Sequence, residues 1–100
     1  GIAKETIIHP IKVFDCNGNG RRSHLISAID WIIENHIQPA VVNMSLEAIN
    51  NKRYNNIIRK LTEANITTIV AAGNNNEDAC KQSLDSNLSL ITVGSSDYYD

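Results

Sequence analysis

The sequence predicts an α/β fold: a mostly parallel sheet with helices, in three layers. Three observations carry this reading. Short β-branched apolar runs alternate with two segments whose apolar residues recur at helical spacing. Each run ends in turn residues, chiefly Gly, Asn and Asp. The alternation itself, strand then helix then strand, is the pattern of right-handed crossovers on a parallel sheet.

The elements follow in order. Residues 6–14, T-I-I-H-P-I-K-V-F, predict a first strand, placed at an edge or bulged because Pro10 cannot donate to a ladder. D-C-N-G-N-G at 15–20 is turn chemistry. Leu25, Ile26, Ile29, Ile32 and Ile33 then share one helical face, with Ser23 as the N-cap, His36 near the last carbonyls and Pro39 as the stop. A-V-V-N-M-S-L at 40–46 predicts a buried parallel strand. A second helix is expected from about Asn50 to Asn65. Tyr54, Ile57, Ile58 and Leu61 form its stripe, and Arg59 and Glu63 lie on its other side. Ile66 to Ala72 predicts another buried strand, Gly73 to Asn87 a polar loop, and Leu88 to Val93 a last short strand. No repeat, linker or low-complexity segment interrupts this order.

Composition bounds the function. One hundred residues make one domain at most, with room for a modest core. A net charge of −2 with mixed signs gives no reason to expect nucleic acid or an anionic membrane as partner. No apolar run approaches the roughly 20 residues of a membrane span. The chain opens Gly-Ile-Ala-Lys, without an initiator Met or a leader, and reads as a processed product or an excised piece. Cys16 and Cys80 lie far apart and outside any C-x-x-C pair. Two free thiols, a mutual disulfide, and two disulfides to partners outside the chain all fit that spacing.

In a parallel α/β sheet, function collects at the carboxyl ends of the strands. Here those ends are Asp15–Gly20, Ser45–Asn50 and Gly73–Asp78. Gly18-Asn19-Gly20 has three readings. It is an incomplete dinucleotide fingerprint with no acidic residue closing the next strand, a plain glycine turn, or a flat backbone strip that pairs with a peptide. His9, His24 and His36 have no metal-ligand spacing and read as surface or capping residues. No G-x-S-x-G elbow occurs. Asn-x-Ser/Thr occurs at Asn43, Asn65 and Asn87, but Asn43 is expected inside the sheet. Asn74 follows a buried strand and a glycine. There it is either a turn former or a rigidly held amide donor aimed at a developing negative charge.

Taken together, several segments resemble the subtilisin-like serine peptidases, especially the proteinase K and aqualysin branch. They are G-I-A-K, V-F-D-C-N-G-N-G, A-I-D-W-I, P-A-V-V-N-M-S-L, and V-A-A-G-N-N-N-E-D-A-C followed by I-T-V-G-S-S-D. They fall in the family's order and spacing and cover essentially the whole chain. The resemblance implies an endopeptidase that cuts peptide or protein substrates. Asn74 would be the oxyanion donor. Gly18, Asn19 and Gly20 would be one substrate-pairing strip, with Ser45 and Leu46 the facing one. Ala71, Ala72 and Gly73 would form a wall of the pocket for the residue before the scissile bond. Cys16 and Cys80 match cysteines that pair outside this segment in relatives, which points to secretion into an oxidising compartment. Leu88 and Leu90 fall where relatives offer carbonyls to calcium. A further ligand lies beyond these residues, so no metal or other cofactor is assigned to the segment, and structural calcium would belong to a longer parent.

Two departures limit the resemblance. The Asp-[Ser/Thr]-Gly, His-Gly-Thr-His and Gly-Thr-Ser-Met-Ala motifs are absent, so residues 1–100 have neither general base nor nucleophile and read as the central part of one catalytic domain. The chain alone is expected to be inactive and of marginal stability, with the rest of that domain as its partner. Ser45-Leu46 is followed by Glu47 where the family has glycine. That glutamate obstructs the cleft, selects a basic substrate residue, or marks a relative that binds peptide without cutting it.

Overall fold

The computed structural model describes residues 1–46, 52–79 and 89–99. Its elements are α1 (Arg22–Asn35), β1 (Val41–Met44), α2 (Lys52–Glu63), β2 (Thr67–Ala71) and β3 (Leu90–Val93). The strands form one parallel sheet in the order β1-β2-β3. Thr68 stands between Val42 and Leu90, and Ile69 between Asn43 and Ile91.

Helical periodicity predicts the core. Ile29 of α1, Ile58 and Leu61 of α2, Met44 of β1, Val70 of β2 and Ile66 at the entry to β2 form one buried cluster, with Leu25, Ile32, Ile33 and Ile57 packed against it. Side chains alternate across a strand, so Thr68 and Val70 point to the same side, and both are buried. Both helices therefore lie on one face of the sheet. The opposite face carries Val41, Asn43, Ile69, Ile91 and Val93. Val41 is 64% exposed, and Ile91 and Val93 are each 51% exposed. The described residues thus supply two of three layers.

Several expectations are corrected here. The strand predicted at 6–14 does not form within the described residues. Ile7 and Ile8 are exposed, and the segment's one pairing is an isolated antiparallel bridge from Phe14 to Gly20. An apolar run becomes a strand only beside a neighbour that accepts its ladder bonds, and Pro10 already removes one donor. Ser23 is not the N-cap. Arg21 is, in extended conformation and with no side-chain cap, because the bridge ending at Gly20 releases the chain into helix two residues early. Asn43 lies in β1 as expected but on the open face, so it is exposed rather than enclosed.

The helix ends show how the sequence fixes the crossovers. At the end of α1, the His36 ring nitrogen Nδ1 lies 2.9 Å from the Ile33 carbonyl, and the His36 N–H donates to Ile32. At the end of α2, Asn65 takes a left-handed φ of 59°. Its N–H donates to Thr62 O and the Ile66 N–H to Leu61 O, both at 2.9 Å. This is a Schellman motif with asparagine at its left-handed position, and it turns Ile66 onto Leu61 in the core. Gln38 joins the two crossovers. Its amide nitrogen donates to Ala64 O and Asn65 O, and its oxygen accepts from Ala40 N.

Candidate functional site

The Asp15–Gly20 loop is organised by Asp15. One carboxylate oxygen accepts the N–H groups of Asn17 at 2.9 Å and Asn19 at 2.8 Å. The Asp15 N–H donates to Asn19 O, and the Gly18 N–H to Asp15 O. Gly18 sits at φ +80°, a conformation that residues with a Cβ seldom adopt. Asn19 spends both backbone groups on Asp15, and Phe14 and Gly20 face each other as a non-hydrogen-bonded pair. In such a pair the N–H and C=O groups turn away from the partner strand. The Gly20 backbone is therefore presented outward. Its missing side chain is filled by the Phe14 ring: a Cβ there would lie 2.8 Å from two ring carbons. The sequence reading missed Asp15, whose signal is an acidic residue two positions ahead of a turn.

Two further segments meet at the sheet's carboxyl edge. Met44 pairs with Val70, so Ser45 and Ala71 leave adjacent parallel strands side by side. Neighbouring strands lie about 4.8 Å apart. The turn after β1 is closed by Leu46 N–H to Met44 O at 2.8 Å. The Leu46 side chain packs on the core, which leaves its backbone at the edge. Ser45 is exposed, and its hydroxyl accepts from the Asn43 amide at 3.1 Å. Asn43 was missed as a support for Ser45, although a period of two puts both on one side of the strand.

After β2, the Ala72 N–H donates to Val93 O at 2.9 Å, which ties the β2 exit to β3. Gly73 follows at φ 101°, and Ala71, Ala72 and Gly73 are half-buried. Asn74 is next and exposed, with its side chain making no hydrogen bond among the described residues. The turn function falls to Asn76, at φ 52°. Gly73 and Asn76 thus take the left-handed positions, and Asn74 is not needed for either.

The Gly18–Gly20 strip belongs to the same edge by topology. Helix α1 leads into β1, so it runs back along the sheet, and its N-terminal end lies towards the strands' carboxyl ends. No strand runs into this glycine turn and on into α1, which is the context a dinucleotide fingerprint needs. Glu47, Cys80 and Leu88 lie outside the described residues. Cys16 is exposed at the loop tip. Among the described residues, no group of three or more His, Cys, Asp or Glu could hold a metal ion, and no helix is long and apolar enough to cross a membrane.

Comparison with known proteins shows the family. The sequence profile of the Subtilase family matches residues 1–99. The chain is 43% identical over 101 residues to the "Extracellular serine proteinase" of Thermus sp. (strain Rt41A), covering 98% of this chain and 25% of that protein. It is 36% identical over 105 residues to "Proteinase T" of Parengyodontium album, covering all of this chain and 36% of that protein. Among solved structures it resembles a cold adapted subtilisin-like serine proteinase with a TM-score of 0.76 and 34% identity, over 81% of this chain and 30% of that one. The chain spans about a quarter to a third of the length of these relatives. With a family profile matched almost end to end, the chain belongs to the subtilase family.

Proposed function

We propose that these residues are the central part of one catalytic domain of a secreted serine endopeptidase, and that they supply its oxyanion donor and part of its substrate cleft. One observation carries the reading. Two neighbouring parallel strands deliver Ser45-Leu46 and Ala71-Ala72-Gly73-Asn74 to the same sheet edge, and Asn74 emerges there with its amide uncommitted. The β2 exit sets where the Asn74 backbone lies, and an uncommitted amide there is free to donate to a tetrahedral oxyanion as charge develops. The outward backbone of Gly20 and the backbone at Leu46 flank the path of an extended peptide, which would add as a strand between them. Secretion is supported by relatives such as the one named "Extracellular serine proteinase".

In the reaction, the side-chain amide of Asn74 donates to the oxygen of the attacked carbonyl as it gains charge. The half-buried Ala71–Gly73 wall leaves room for the side chain before the scissile bond. The nucleophile and its base come from the rest of the domain.

Peptide hydrolysis by the full-length protein, with a fluorophosphonate probe labelling one serine, tests the reading. The account expects both from the full-length protein and neither from residues 1–100 alone. A full-length protein that binds peptide but neither cleaves it nor reacts with the probe would establish the binding-only relative that Glu47 suggests.

A further inference from the structure

Beside the Gly18–Gly20 strip runs an open groove, formed where the Asp15 loop meets the start of α1. Its floor is apolar, built by Val13 and by the Phe14 ring that covers Gly20. Lys12 and Arg21 bring positive charge to its lining, and His24 stands with them. All three are exposed, and their side chains make no hydrogen bond or ion pair among the described residues. Asp15 is the acidic member of the lining. Its Oδ1 is already engaged by two backbone N–H groups, so its charge is partly spent inside the loop.

This arrangement works against the helix beside it. The N-terminal end of a helix carries partial positive charge and favours acidic residues. In α1 the N-cap is Arg21, which makes no capping bond, and no acidic residue stands in the first turn. A cation at that position costs stability unless an anion sits against it. The second cation source, Lys12, arrives from a different segment and faces the same groove.

We propose that this groove receives an acidic side chain of the polypeptide whose backbone lies along Gly18–Gly20, so that the protein prefers acidic segments. The proposal rests on the endopeptidase reading for its substrate and adds the chemical class that substrate must have. A glutamate suits the groove best: its methylenes lie on the Phe14 floor while its carboxylate reaches Arg21 and Lys12, held bidentately by the guanidinium.

The test uses the full-length protein and one peptide frame into which Glu, Gln or Lys is placed at each position in turn, with kcat/KM and direct binding by fluorescence anisotropy both read. At one position, Glu should exceed Gln by about threefold to tenfold, the scale of two exposed ion pairs, and the ratio should shrink as salt rises. Charge reversal at Lys12→Glu with Arg21→Glu should invert the order so that Lys is preferred there. A neutral pair, Lys12→Met with Arg21→Gln, should level it. Equal treatment of Glu, Gln and Lys at every position, or a Glu preference that survives charge reversal, overturns the proposal. Charge-selective binding without cleavage would sustain the groove while removing the endopeptidase reading. Cleavage without charge selectivity would do the opposite.

Discussion

Replacing Gly20 with alanine probes how the substrate-facing loop is built. The added Cβ would sit 2.8 Å from Cδ1 and Cε1 of Phe14 and 3.3 Å from the Val13 carbonyl oxygen. Carbon atoms pack at about 3.5–4.0 Å, so the ring must retreat by roughly 0.7–1.2 Å. Phe14 is 40% exposed, which gives the ring a way out toward solvent. Moving it uncovers apolar surface and empties the groove floor. Overpacking of this kind costs about 1–3 kcal/mol, and the alanine recovers roughly 0.4–1 kcal/mol through the unfolded chain. A net loss of up to about 2.6 kcal/mol is expected in denaturant unfolding of the protein. A double-mutant cycle with Phe14→Ala isolates the cause, because the clash vanishes with the ring. The two losses should then combine to less than their sum. Additive losses would refute the contact that shapes this loop.

Other substitutions separate conformational, packing and charge effects. Asn65→Gly should be neutral or stabilising by a few tenths of a kcal/mol, whereas Asn65→Val should cost about 1–2 kcal/mol, because valine meets the full steric penalty of a left-handed φ; thermal unfolding distinguishes the two. Leu61→Ala should cost about 2–5 kcal/mol, since this fully buried side chain joins the core to the Schellman turn. Lys60→Ala should change stability by no more than about 0.5 kcal/mol. Its 3.2 Å ion pair with Asp30 is half exposed on both sides and screened by solvent.

The legible parts of this fold are those with local causes. Leu25, Ile29, Ile32 and Ile33 of the α1 stripe and Ile57, Ile58 and Leu61 of the α2 stripe face the core as a period of 3.6 predicts, while Ile26 lies outside that cluster. The parallel pairing of β1 and β2 follows from the helix placed between them. What stayed hidden depends on distant partners. The run at 6–14 looks like a strand, yet its ladder needs a neighbour that its own residues cannot specify. Gln38 bonds across 26 and 27 residues with nothing local to announce it. Valine in β1 signals a strand but not which face is covered, so Val41 and Asn43 lie open where burial was expected. At the candidate site, the left-handed Gly73 and Asn76 were legible as turn residues. The release of Asn74 from turn duty was not, because it depends on φ values that no residue type dictates.

The measurement that tests the central claim most directly is kcat for the full-length protein carrying Asn74→Ala. Loss of such an amide lowers kcat of a subtilisin by about 10²–10³, a value measured in this family rather than worked from the present geometry. The account predicts a fall of that size with KM little changed, since the donor acts on charge present only in the transition state. An unchanged kcat, or a loss confined to KM, would contradict it and leave Asn74 without a role in the reaction.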